Sequence, residues 1–230
     1  MRIDDVDPAT MTGEQRALYD IYTSGKRVAP DSPFTLVDAD GRLLGPPAIW
    51  IINPVFGRPL QQIGSAVRYG SRIPARAREI AILLVGHHHQ SAFELYAHER
   101  AGTAAGLSEA DLAALADRRE PVGLSDIESV VFRTTARILD AGTVTDDEFR
   151  AATELLGEPG LLELTTIVGY YNMVAWQLAV FDVQPPVEGE VQPPVEGEQS
   201  PVEGIQPPVE GEQPPVKGVQ PSASDVRPPA

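Results

Sequence analysis

The stretch REIAILLVGHHHQSAFELYAHERAGTAAG, residues 78–106, decides how the chain folds. Its apolar run Ile80–Val85 is headed by one carboxylate, Glu79. Pro74 suits the first position of a helix, where its missing N–H costs nothing, so a helix is predicted over about 74–87. Beyond Gly86 and three histidines, a second helix is predicted over about 90–105, with Gly106 as its C′ glycine. Glu94 and His98 are four residues apart and share a face of that second helix. At this spacing a carboxylate can hydrogen-bond and orient an imidazole.

Outward from this stretch, helix signals recur and alternating β patterns are nearly absent. Thr12-x-x-Gln15 is a capping box ahead of Leu18, Ile21 and Tyr22, which predicts a first helix over about 12–24. Residues 25–47, rich in Pro, Gly and Asp, are expected to form an irregular connection with a short extended piece at Phe34–Val37. Asn53-Pro54 opens a helix running through Leu60, Ile63 and Val67. Three more boxes, Ser108-x-x-Asp111, Ser125-x-x-Glu128 and Thr145-x-x-Glu148, start three further helices, and Pro159 starts a long last one to about Phe181. The expectation is an all-α bundle of seven or eight helices in a single domain, residues 1–183. LLVGHH at 83–88 and TIVGYY at 166–171 form a faint internal repeat that would bring two similar helices to one pocket.

Residues 184–230 read differently. The unit QPPVEGE recurs with glutamine at 184, 192, 199, 206, 213 and 220. Two prolines in most units forbid a continuous helix and leave too few apolar groups for a coiled-coil seam. A disordered or polyproline-II-biased tail is predicted. It holds eight acidic and two basic residues, net −6, which leaves −9 of the total −15 for the domain. With both parts acidic, nucleic acid is not expected as a partner, because phosphate binding needs clustered Lys and Arg. Residues 1–10 lack an apolar signal segment and Ile80–Val85 is too short to span a bilayer, so no membrane partner and a cytoplasmic protein are expected. There is no cysteine, hence no disulfide and no thiolate metal site.

The ionisable residues of the central stretch admit two readings. Glu79 lies among apolar neighbours and must either face outward toward Arg76 or Arg78 or meet a partner inside. Glu94 and His98 form either an exposed pair contributing tenths of a kcal/mol or part of a site. His87, His88 and His89 project about 100° apart on a helix and do not converge on a metal ion. In a straight helix His87, Ser91, Glu94 and His98 would share a stripe, which makes His87 a pocket-lining candidate rather than a ligand. Arg76, Arg78 and Arg100 could serve an anionic substrate or be solvated beside acidic residues. Tyr170, Tyr171, Asn172 and Trp176 are expected to pack the last helix, with Tyr171 or Asn172 able to reach a pocket.

Pro74-x-x-x-x-Glu79-Ile-Ala-Ile-Leu, then Phe93-Glu94-x-x-x-His98, then Ala105-Gly106-Leu107-Ser108, closely resembles the carboxymuconolactone decarboxylase family, which shares its fold with the alkylhydroperoxidase-D-like proteins. Gly45-Pro46, Asn53-Pro54, Leu60-x-x-x-Gly64 and Gly169-Tyr170-Tyr171 are in the same style. The resemblance covers roughly residues 10–183 and excludes the tail. In the peroxidase branch a glutamate precedes a Cys-x-x-Cys-x-x-x-His motif. Laid on this chain, the glutamate falls on Glu79, the histidine on His98, and the two cysteines on Ser91 and Glu94. A hydroxyl and a carboxylate cannot exchange a disulfide, so thiol peroxidase chemistry is disfavoured.

The resemblance implies a cofactor-free site with no metal and no organic cofactor, acting on a small-molecule substrate. The roles it implies are His98 as general acid/base, Glu94 as its orienting partner, Glu79 as a second proton carrier, and Ser91, His87 and Tyr171 lining the pocket. It also implies a homo-oligomer, trimer or hexamer. Two functions follow as expectations. One is a carboxy-lyase resembling 4-carboxymuconolactone decarboxylase, acting on a small carboxylated lactone or similar oxygenated carboxylate. The other is a non-catalytic oligomeric module displaying acidic Pro-rich tails.

Overall fold

The computed structural model describes residues 1–24 and 36–186. Among them are eight α-helices: α1 (Gly13–Tyr22), α2 (Pro46–Trp50), α3 (Pro54–Ser65), α4 (Ala75–His89), α5 (Ala92–Ala104), α6 (Glu109–Ala116), α7 (Asp126–Ala141) and α8 (Asp146–Phe181). A 3-10 turn at Pro8–Thr10 precedes α1, and a π-helical turn at Ala66–Gly70 prolongs α3. No strand occurs among the described residues; Val37 and Leu43 make an isolated antiparallel bridge. The fold is all-α, as the capping boxes and apolar spacing predict.

The boxes act where the sequence puts them. Thr12, Ser108, Ser125 and Thr145 each accept from the backbone N–H three residues on, and the side chains of Gln15, Asp111, Glu128 and Glu148 return the bond. Each such cap stabilises its helix by about 1 kcal/mol. Gly106 and Gly142, with φ of 97° and 69°, follow α5 and α7 in the left-handed region that favours glycine. In α8 the backbone leaves helical geometry at Gly157 (φ 70°, ψ 166°), just before Pro159. Its two arms correspond to the two helices expected from Thr145 and from Pro159.

α4 is the central element. Every residue from Glu79 to Gly86 is buried, so this helix has no solvent face over two turns. Ala77, Ala81, Ile82 and Val85 belong to a core shared with α1, α2 and α8, whereas Ile80, Leu83 and Leu84 join Leu107, Leu115 and Phe132 in a second. Each fully buried Leu, Ile or Val contributes about 1.5–3 kcal/mol of transfer free energy. Packing therefore fixes α4 against α5, α7 and α8.

Two expectations are corrected by the structure. The connection expected to stay irregular ends in α2, whose Pro47, Ala48, Ile49 and Trp50 are buried. Trp176 does not pack inside the interface of α8 but is 60% exposed. Of the extended piece at 34–37, only Leu36 and Val37 are described, and of the repeat tail only residues 184–186; the rest lies outside the described residues.

Candidate functional site

The turn between α4 and α5 sets up the site. α4 ends with Gln90 in the left-handed region (φ 52°), and the Ser91 amide donates back to the Gly86 carbonyl at 2.9 Å. This interrupts the straight stripe from His87 to His98. α5 then restarts at Ser91 and folds back along α4, with Gly86 allowing close approach: a Cβ there would lie 3.1 Å from Leu95 Cδ2. The second helix thereby lays His98 over Glu79.

His98 Nδ1 and Glu79 Oε2 are 2.7 Å apart, and both side chains are buried. A carboxylate oxygen only accepts, so His98 donates from Nδ1 to Glu79. Glu79 Oε1 also lies 3.7 Å from Arg78 Nε, an ion pair too long for a hydrogen bond. The edge of the His98 ring meets Tyr171, with centroids 4.9 Å apart and planes at 88°. The partner that orients the imidazole is therefore Glu79 on α4, and the expectation that Glu94 would do so from one turn away is corrected. Helical spacing puts Glu94 and His98 on one face but does not make them bond.

Glu94 does something else. Ser91-x-x-Glu94 has the form of a fifth capping box, yet no side-chain cap forms. Ser91 Oγ and both carboxyl oxygens of Glu94 are buried with no hydrogen-bond partner among the described residues. Ser91 lies near enough to ease the ionisation of Glu94 slightly, but without hydrogen-bond geometry. Burial dominates and pushes the Glu94 pKa up to about 8. The helix dipole favours a negative charge in this first turn by about 0.3–1 kcal/mol, too little to offset desolvation of a carboxylate. Glu94 is thus a carboxylic acid at neutral pH. Tyr171, whose hydroxyl is also buried without a hydrogen-bond partner among the described residues, has its pKa raised by burial.

Glu94 and His98 open onto one pocket, whose void is about 450 Å³ with its mouth included. Its walls are mostly apolar and aromatic: Pro46, Pro47, Trp50, Phe93, Tyr170 and Tyr171. Arg68, on the π turn, is the one cationic side chain in the lining among the described residues. Such a pocket, apolar with a few convergent polar groups, is the form small-molecule sites take.

No family model and no curated protein matches the chain. Among solved structures, one from Agrobacterium tumefaciens, described as a protein of unknown function and candidate antioxidant defence protein AhpD, matches with a TM-score of 0.54. The match covers 60% of this chain and 94% of that one, at 18% identity. The fold is AhpD-like. That identity speaks for the fold and for nothing finer.

Within the AhpD-like frame, the residues singled out from the sequence divide. His98, Glu94 and Tyr171 line the pocket, and Glu79 stands behind His98. Ser91 is buried beside Glu94 without reaching the lining, and His87 does not line the pocket either. Asn172 Oδ1 accepts from His89 Nε2 at 2.6 Å rather than entering the pocket, and His88 and His89 stack edge to face. Among the described residues, no three His, Asp or Glu side chains gather around a metal position. The arginines considered for an anion are otherwise engaged. Arg76 binds Glu128 at 2.6 Å and Asp111 at 3.1 Å, Arg78 faces Glu79, and Arg100 bonds the Tyr96 carbonyl and stacks on its ring. Sequence reasoning does not single out Arg68. The signal that could find it is Leu60-x-x-x-Gly64, whose glycine makes room for Tyr170 and for the Arg68 guanidinium.

Proposed function

We propose that the protein is a cofactor-free acid/base enzyme acting on a small oxygenated carboxylate, with decarboxylation of a carboxylated lactone such as 4-carboxymuconolactone as the best single reaction. The observation that carries this reading is the meeting, at one apolar pocket, of an imidazole held by a carboxylate and a carboxyl group kept protonated by burial. Two carboxyl groups in unlike environments take unlike roles.

In such a reaction the bond from the ring carbon to its carboxylate breaks, CO₂ leaves, and the electron pair spreads onto the lactone carbonyl oxygen as a dienolate. Glu94, as a neutral acid, donates a hydrogen bond to that oxygen as its charge develops. His98, charged for this step and held through Nδ1 by Glu79, delivers the proton from Nε2 to carbon and recovers one from solvent. Glu79 is a positioning residue: it fixes the imidazole and stabilises its cationic form. Enolisation or isomerisation next to a carbonyl would draw on the same groups, so the assay extends to related lactones and β-keto acids.

The test is loss of lactone absorbance with wild type, His98→Ala and Glu79→Gln. General acid/base groups contribute about 10²–10⁴-fold, and His98→Ala is expected to lose rate on that scale. Glu79→Gln is expected to lose kcat with KM little changed. Variants that turn over substrate as fast as wild type would falsify the assignment.

A further inference from the structure

Arg68 sits half-buried in the wall of the pocket, with no acid beside it among the described residues. Among the described residues its Nε is buried with no hydrogen-bond partner, and no Asp or Glu pairs with it. Arg76 and Arg78, also partly buried, have carboxylates beside them: Arg76 bonds Asp111 and Glu128, and Arg78, whose Nε likewise lacks a hydrogen bond, lies 3.7 Å from Glu79. The acid that shares the lining with Arg68, Glu94, is neutral and supplies no charge. A desolvated donor left without its bond is unfavourable, the more so when it is charged. A ligand carboxylate would remove that penalty.

The placement of the side chain is also built. Arg68 lies on the π turn Ala66–Gly70, where the wider turn redirects the end of α3, and such turns recur at functional sites. Gly64, one turn earlier, is required there by space: a Cβ would fall 2.4 Å from Tyr170 Oη and 3.3 Å from Arg68 Nη2. The guanidinium therefore runs beside the Tyr170 hydroxyl, along a wall continuous with Tyr171 and, through it, with His98. The charge of Arg68 reaches as far as the Tyr171 hydroxyl, whose ionisation it eases.

We infer that Arg68 is a specificity-determining residue that anchors a carboxylate of the substrate, one that the reaction leaves in place. The inference rests on the proposed acid/base reading for what happens at the other end of the pocket, but the anchoring itself does not. A carboxylate that departs as CO₂ loses its charge, and an arginine gripping it would stabilise the ground state and slow the step. The group held by Arg68 is therefore a second, spectator carboxylate, placed so that the reacting carbon lies toward His98 and Glu94. A planar guanidinium fork suits this, since it grips a carboxylate through two parallel hydrogen bonds. For a decarboxylation the substrate class is then a small dicarboxylate, and for an enolisation a keto or lactone monocarboxylate.

The experiment measures binding, not turnover, by calorimetric titration with benzoate and with the isosteric neutral benzamide. Wild type is expected to bind benzoate at least about tenfold more tightly than benzamide, the scale of a charge-assisted bond. Arg68→Met is expected to lose that preference while holding benzamide as wild type does, and Arg68→Lys to keep part of it. His98→Ala is expected to retain the full preference, so failure of the acid/base reading leaves this result standing and the reverse. Equal affinity for the two probes in wild type, no benzoate binding, or a preference that survives in Arg68→Met overturns the proposal. The benzamide arm reports whether the Arg68→Met variant keeps its pocket.

Discussion

Replacing Glu94 by glutamine removes one titration and leaves the shape, which makes it the most direct probe of the site's electrostatics. The folded pKa of Glu94 is about 8 against an ordinary value of 4.5, and its carboxyl has no hydrogen-bond partner among the described residues. Because the folded value is raised, the folded state holds a proton that the unfolded chain has lost across that window. The stability this confers is fully present below the unfolded pKa and is lost as pH rises through the folded one. At about 1.36 kcal/mol per unit, linkage between about pH 5.5 and 8.5 removes about 3 kcal/mol from wild type. The Glu94→Gln variant has nothing to ionise at this position, so its curve lacks that contribution, whatever constant offset the buried amide adds. Urea melts of both proteins across this range should converge or cross, wild type losing about 3 kcal/mol relative to the variant, or about 6–12 °C in Tm for a domain of this size. Wild-type and variant curves that stay parallel within about 0.5 kcal/mol would refute the buried-acid argument, because a carboxyl that ionises normally must have water or a cation beside it.

Ser125→Ala should cost about 1 kcal/mol in a chemical melt, whereas Ser91→Ala should cost less than about 0.5 kcal/mol, since Ser91 makes no cap bond to lose; equal losses would mean that Ser91 caps α5 after all. Arg76→Met should destabilise by about 1–3 kcal/mol at neutral pH by stranding Asp111 and Glu128. Burial alone would raise both of these carboxyls, but hydrogen bonds from Ser108 and Ser125 and from Arg76 hold them below the usual range. Their contribution is present above the unfolded carboxylate pKa and is lost on acidification, so the gap between Arg76→Met and wild type should close as pH falls below about 4; a gap independent of pH would mean that Arg76 acts through packing.

What the sequence made legible is what depends on near neighbours. Four capping boxes, the glycine after α5, and the break before Pro159 are settled within a few residues, and the fold follows from them together with the apolar run in α4. The Glu79–His98 bond joins residues 19 apart on two helices, so it depends on how Gln90 turns the chain and not on any spacing along one helix. α2 is five residues long and begins at Pro46, too short for a periodic signal to emerge. Arg68 is not singled out because its one local sign, the glycine at 64, marks a close approach without saying what approaches, and its neighbour there, Tyr170, lies far along the chain on α8.

The unformed box at Ser91 and Glu94 gives this division its meaning. At the starts of α1, α6, α7 and α8, a Ser or Thr followed three residues later by Asp, Glu or Gln closes into a reciprocal cap; at the start of α5 the same residue types stand in the same places and do not. The Ser91 amide that a closed box would use already donates to the Gly86 carbonyl at 2.9 Å, so closure would exchange that bond for one to the Glu94 carboxyl. The chain instead keeps both oxygens of Glu94 buried in the wall of a pocket that Phe93, Ala97 and Tyr171 also line. The turn that ends α4 keeps the amide, and the carboxyl left without it at a pocket wall points to a functional demand. Here the demand has a chemical form: a proton held on Glu94 at neutral pH, one side of a pocket from an imidazole held by Glu79. If the carboxyl took the Ser91 amide from the Gly86 carbonyl, that hydrogen bond would favour its ionised form, and the pocket would be less able to hold a proton there.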